Sequence, residues 1–275
     1  MRVEHKVVKR TAARHRKSED CQLVAQIEGQ PFFAVIADGH GPDIQTVATQ
    51  NLALNVVTDF GCLFMQNPDP QAFPAMCDEV QTRVVATFKK IPVGAVATCV
   101  VAAENGITIA QVGDCVVLKF LPDQDYCVDR LTQDHTPDHP SEIPRLRSHY
   151  KDGKFDVHIH ERGNFCVSRL YCKKTKTTAA FTRSFGDPDF RPIVTHEPEV
   201  KSFDYASNDE LYAVCSDGGE DTVRCVFRRL KNERVPLDAV FMETVYRFAQ
   251  DEMPLRPDDD ITIVFFRVLR DSPTS

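Results

Sequence analysis

Apolar and polar positions along the chain follow two rhythms. Six consecutive apolar residues, Phe32 to Ala37, run directly into Asp38-Gly39-His40-Gly41, the pattern of a strand buried on both faces that delivers a carboxylate and an imidazole at its end. Two further apolar runs do the same: Leu211 to Cys215 leads into Ser216-Asp217-Gly218, and Asp259-Asp260 precedes Ile261 to Phe266. Turn chemistry at Glu28-Gly29-Gln30-Pro31 joins Cys21–Ile27 to Phe32–Ala37 as a hairpin, and Glu104-Asn105-Gly106 joins Val96–Ala103 to Ile107–Val112. Cys115–Leu121 and Tyr126–Leu131 form the next pair, so the middle of the chain reads as an antiparallel meander. Helical spacing links Ile44, Val47, Ala48, Leu52 and Val56 from Pro42-Asp43 to Gly61, and again Phe73, Met76, Val80, Val84 and Phe88. Shorter helices are expected over Glu142–His149, Asp221–Leu230 and Leu237–Gln250, whereas residues 150–178 predict no regular element. Helices grouped around many antiparallel strands give an α+β layered fold.

Composition narrows the function classes. No Pro/Gly/Ser-rich linker or charge block divides the 275 residues, so one domain over 1–275 is expected. A formal charge of −7 argues against nucleic-acid or anionic-membrane partners, and no apolar run approaches the ~20 residues of a membrane span. The basic residues 1–18 read as a solvated edge. Ten cysteines without a C-x-x-C pair, and no apolar leader, suggest reduced thiols in the cytoplasm or nucleus.

The hairpin places Glu19 and Asp20 near the same end as Asp38, and carboxylates that close repel one another unless cations sit between them. Asp38, Asp217 and Asp259 are hard oxygen donors without Cys or His companions, which favours Mg²⁺ or Mn²⁺ over zinc. Two such ions about 3.5–4 Å apart suit hydrolysis of a phosphomonoester, with His40 placed to protonate the leaving alkoxide.

With these residues in view, the chain resembles the type 2C, metal-dependent protein Ser/Thr phosphatases over nearly its whole length. Glu19-Asp20, Asp38-Gly39-His40-Gly41, Thr98, Val112-Gly113-Asp114, and Thr132 to Pro137 with Glu142 and Arg145 are similar to successive family motifs. So are Thr182-Arg183-Ser184-Phe185-Gly186-Asp187, Glu197 to Val200, Ser216-Asp217-Gly218 with Asp221, and Asp259-Asp260-Ile261-Thr262. Each motif alone is weak, and their order gives the resemblance its weight.

The resemblance implies a four-layer αββα sandwich, two antiparallel β-sheets flanked by helix pairs, with two Mg²⁺ or Mn²⁺ ions at one end. By matched position, Asp38 bridges both ions, Asp217 and Asp259 bind one, and the Gly39 carbonyl binds the other. Glu19 and Asp20 hold water on the ions, and Asp221 is a cap or supporting group. Asp134 helps to bind a third, weaker ion, and His40 is the general acid. The implied nucleophile is a metal-bridging hydroxide, so no phosphoenzyme is expected. Implied partners are phosphoserine and phosphothreonine proteins, and a monomer is expected.

Departures from the pattern qualify this. His15 stands where the family carries a phosphate-clamping Arg, and strand alternation would turn its neighbours Arg14 and Arg16 to the opposite face. Nine residues separate Asp187 from Glu197, a shortened flap around 187–197, whereas the stretch around 150–178 is a basic insertion carrying Arg169, Lys173, Lys174 and Lys176. That insertion is expected to replace part of the flap and clamp, unless it is a solvated loop. Val167-Ser168-Arg169 also imitates the Ser-Arg motif, but Gly186-Asp187 favours Arg183 for that role. Asp260 replaces the family Asn and is expected to add repulsion that a metal relieves. Two rivals follow: a catalytically impaired pseudophosphatase serving as a binding or regulatory module, and another two-metal hydrolase such as a nuclease.

Overall fold

The computed structural model describes residues 1–12, 18–42, 46–121, 127–150, 153–162, 165–254, 257 and 259–270. Arg14, His15 and Arg16 lie outside the described residues, as do Asp43 and Ile44 at the expected start of the first helix. The strands are β1 (Arg2–Arg10), β2 (Cys21–Ala25), β3 (Phe32–His40), β4 (Gly94–Ala103), β5 (Gly106–Val112), β6 (Val116–Leu121) and β7 (Cys127–Arg130). They continue as β8 (Phe155–Arg162), β9 (Phe165–Cys172), β10 (Thr177–Ala179), β11 (Phe185–Gly186), β12 (Glu199–Phe203), β13 (Asp209–Cys215) and β14 (Ile261–Leu269). The helices are α1 (Thr46–Gln66), α2 (Phe73–Phe88), α3 (Ile143–Tyr150), α4 (Glu220–Glu233) and α5 (Phe241–Glu252).

One sheet has the order β1-β14-β13-β6-β7, and the other β12-β5-β4-β3-β2 with β11 beside β4. Phe32, Ile36, Val100, Tyr212, Val214 and Phe266 fill the space between them. The outer face of the β3 sheet buries Phe33, Val35 and Ala37 against Phe60, Phe64 and Phe73 of α1 and α2. The outer face of the β14 sheet buries Ile263 and Phe265 against Val226, Phe227, Val245 and Phe248 of α4 and α5. Strands buried on both faces are continuously apolar for this reason. The result is the expected αββα layering.

Three expectations are corrected. The meander does not continue past β5: at Gly113–Cys115 the chain crosses to the other sheet, where β6 pairs with β13 and β7. Gly113 has φ +106°, a conformation L side chains rarely adopt, and this permits the crossing. Helix α1 does not stop at Gly61 but runs on to Gln66, because Gly61 is where Leu23 of β2 presses against the helix; a Cβ there would come 2.9 Å from Leu23 Cδ1. Residues 150–178 are not irregular: β8, β9 and β10 form a separate antiparallel sheet whose Phe155, Leu170, Cys172 and Ala179 pack with Leu146, Phe190, Ile193 and Val194. The described part of the basic N-terminus is not only a solvated edge: Arg2–Arg10 forms an edge strand that buries Val3 and Val8. Among the described residues, no helix is long and apolar enough to cross a membrane.

Candidate active site

Three strands end at one rim. β3 carries Asp38, Gly39 and His40, β13 leads through Ser216 into Asp217, and Asp259 precedes β14. They meet in a cavity of about 680 Å³ lined by Glu19, Asp38, Gly39, His40, Asp114, Asp187, Asp217 and Asp259, with Arg169 and Lys176 on its β9–β10 side. Gly39 is needed for the close approach of neighbouring backbone: a Cβ there would come 2.9 Å from the Glu19 carbonyl oxygen and 2.8 Å from Thr49 Cγ2 of α1.

Asp38 is pushed well above the ordinary carboxylate range by burial, then by the charges of Asp20, Asp217, Asp114 and Asp259. Burial and the charges of Asp217 and Asp134 push Asp114 up to about 7, partly opposed by His40. Asp217 is also raised, by burial and Asp259, while hydrogen bonds from the Gly218 N–H and Asp38 pull it back. Asp20 lies behind the rim, fully buried, and among the described residues neither carboxylate oxygen has a direct hydrogen-bond partner. Burial drives it up to about 7, with Ser216 and Thr262 close enough to oppose the rise and Asp260 adding to it.

This arrangement fits hard divalent cations. Acids pressed together hold protons unless positive charge replaces them, and every donor offered is oxygen. Among the described residues, the acids line the cleft without closing into a group of three at ligand spacing. Asp134 is ion-paired with Arg130 and stands off the cavity wall, although its charge reaches Asp114 and Asp217. Asp221 is an exposed residue in the first turn of α4, also off the wall.

His40 is held firmly. Its Nε2 lies 2.8 Å from Asp187 Oδ2, which also accepts from the Ser184 hydroxyl, and its ring packs on Phe181 at 4.1 Å between centroids. An ionised carboxylate only accepts, so Nε2–H donates and Nδ1 is left for the cleft. The segment bearing Asp187 is anchored by Glu142, whose buried carboxylate accepts from Arg183, Arg145 and the Thr182 hydroxyl. Arg183 is thus tied to Glu142. His135 orders a loop: its Nδ1 accepts from the Gly113 N–H at 3.1 Å.

Asp114 and Asp187 carry no local signal of a site. Each follows a glycine at a turn, where an acid is ordinary, and only the meeting of distant segments shows that both reach the cleft. Asp260 corrects an expectation in part. Its charge does press on Asp20, but its two oxygens accept from the Ala12 N–H at 2.6 Å and the Glu19 N–H at 2.7 Å.

Comparison with known proteins agrees with this geometry. The family described as Protein phosphatase 2C matches residues 14–223. "Probable protein phosphatase 2C 49" of Oryza sativa subsp. japonica is 29% identical over 155 residues, which cover 54% of this chain and 29% of that protein. This chain thus spans under a third of that relative. The serine-threonine phosphatase 2C structure from Toxoplasma gondii superposes with TM-score 0.69 at 16% identity, covering 96% of this chain and 94% of that one. The catalytic domain of the serine threonine protein phosphatase PstP, in complex with two manganese ions, gives TM-score 0.63 at 15% identity, covering 98% and 99%. With the family matched across most of its length and the fold shared end to end, this chain belongs to the protein phosphatase 2C family.

Proposed function

We propose that the chain is a divalent-metal-dependent phosphatase that hydrolyses phosphoserine and phosphothreonine in proteins. The observation that carries this reading is the convergence of Asp38, Asp217 and Asp259 with the His40–Asp187 pair in one cavity of a phosphatase fold. Asp38, the Gly39 carbonyl, Asp217 and Asp259 would hold two Mg²⁺ or Mn²⁺ ions, with Glu19 and Asp20 supporting them and Asp134 beside a third, weaker site. When bound, such ions polarise phosphoryl oxygens and make water a competent nucleophile at neutral pH.

The chain's own groups manage the leaving group. As the phosphorus–oxygen bond to the Ser or Thr side chain breaks, the departing oxygen needs a proton, which a doubly protonated His40 ring would give from Nδ1 while Nε2–H stays bonded to Asp187. Asp187 keeps Nε2–H pointed away from substrate, Ser184 fixes Asp187, and Phe181 covers one face of the ring.

His15 in place of a clamping Arg favours the rival, a pseudophosphatase used for binding. Against it stands the cost of keeping Asp20 buried and Asp38 half-buried beside other acids, which a pure scaffold would not need. Phosphate release from a phosphothreonine peptide, with Mn²⁺ and then with EDTA, tests the reading. EDTA-sensitive release supports it, and cleavage of DNA in place of the peptide would transfer the chemistry to a nuclease.

A further inference from the structure

The cavity wall contains two cations that the proposed chemistry leaves unused. Ser168 and Leu170 on β9 are buried, and Leu170 belongs to the small core under the β8–β10 sheet. Alternation therefore turns Arg169, between them, to the other face, where it lines the cavity. Lys176 is held at φ +59° in the turn into β10, its N–H bonded to the Cys172 carbonyl, and lines the same cavity. The same cavity is also lined by Glu19, Asp38, Asp114, Asp187, Asp217 and Asp259.

Nearby arginines are committed to the fold. Arg145 and Arg183 bind Glu142, and Arg191 donates to the Gly186, Val194 and Ser184 carbonyls. Arg169 is half-buried and has no ion-pair or side-chain hydrogen-bond partner among the described residues, and Lys176 has no acid partner among them either. A partly desolvated guanidinium without a carboxylate is costly unless an anion completes it. A phosphomonoester dianion entering a cleft of carboxylates needs cations on its far side for the same electrostatic reason.

We propose that Arg169, assisted by Lys176, binds the phosphate oxygens of the substrate, so that the basic insertion supplies the clamp that residue 15 lacks. This rests on the phosphatase reading above. Arg169 offers a planar fork to two phosphate oxygens, and Lys176 offers a point charge at the mouth.

The test uses the full chain with Mn²⁺, a phosphothreonine peptide as substrate and inorganic phosphate as inhibitor. Arg169→Ala is expected to raise KM and the phosphate inhibition constant about 10- to 100-fold with kcat within about threefold, the loss associated with a charge-assisted pair. Arg169→Lys should recover part of both, and Lys176→Ala should raise both about two- to fivefold. Arg247→Ala on α5 should leave them unchanged, and thermal melts confirm folding of each variant. An Arg169→Ala enzyme with unaltered KM and phosphate inhibition overturns the proposal, as does a KM effect with phosphate inhibition untouched. If the wild-type chain turns over no peptide, the phosphatase reading fails separately. Calorimetry then decides the clamp: peptide binding weakened about tenfold or more by Arg169→Ala supports it, and equal or absent binding overturns it.

Discussion

His40 and Asp187, 147 residues apart, meet at 2.8 Å between Nε2 and Oδ2 at the edge of the acidic cleft. The carboxylate holds Nε2–H and fixes the ring, a positioning task that does not require contact with substrate. Asp187→Asn preserves shape but replaces the charged acceptor of Nε2–H by a neutral amide with one accepting oxygen. Its kcat for a phosphothreonine peptide should fall about 10- to 100-fold. With p-nitrophenyl phosphate, whose leaving group needs no proton, the loss should be several-fold at most. Equal losses on both substrates would remove leaving-group protonation from the role of the pair.

Gly94 makes room for that pair. A Cβ on residue 94 would overlap both Asp187 Oδ2 and His40 Nε2. Gly94→Ala should therefore separate the two side chains and reproduce the substrate dependence of Asp187→Asn, with a stability cost of about 1–3 kcal/mol from overpacking. Peptide kinetics beside a urea melt checks both parts.

Asp260 joins two segments of the N-terminal region through the Ala12 and Glu19 N–H groups. Asn at this position accepts through one oxygen only and turns an amide NH₂ toward the other N–H. Asp260→Asn should lose about 1–2 kcal/mol of unfolding free energy, less than the loss of a charged hydrogen bond alone because repulsion on Asp20 also falls. Chemical denaturation of the two forms measures the difference.

Acid should unfold the chain through Glu142 and His135. Burial raises Glu142, but hydrogen bonds from Arg183, Arg145 and Thr182 overcome it and hold the carboxyl down at about 2, against an ordinary 4.5. The folded pKa is depressed, so this stabilisation is complete above about 4.5 and fades as pH falls toward 2, on the order of 3 kcal/mol in all. Burial and Arg183 lower His135 from 6.5 to about 3, so the folded state resists a proton that the unfolded chain accepts, and stability also drops from pH 6.5 downward. Urea midpoints between pH 7 and 3 should decline steadily. Glu142→Gln should be less stable at pH 7, and flatter than wild type below pH 4.5.

The parts legible in the sequence were those whose pattern follows from burial alone. β3, β13 and β14 lie between two apolar layers, so their runs of Val, Ile and Phe announce them, and α2 carries its stripe from Phe73 to Phe88 without interruption. The acids at their ends were legible too, because each follows or precedes such a run. β1 was hidden because Val3 and Val7 face the core between the sheets while Val8 faces the helices, so its few apolar residues fall at both parities among many charges and give no one-sided alternation. β8 did carry a signal, the alternation of Phe155, Val157 and Ile159 with Asp156, His158 and His160, but the density of Lys and Arg around it obscured the rhythm. The His40–Asp187 pair had no local signal, since it exists only once the end of β3 and the residue after β11 meet beside Gly94 of β4.

The most direct test of the account is phosphate release from a phosphothreonine peptide by wild-type and Asp38→Ala protein with Mn²⁺, alongside calorimetric Mn²⁺ titration of both. The account predicts EDTA-sensitive turnover and Mn²⁺ binding in the wild type, with turnover lost and binding weakened at least tenfold in Asp38→Ala. Wild-type protein that binds Mn²⁺ without releasing phosphate, or Asp38→Ala protein that retains turnover, would contradict it.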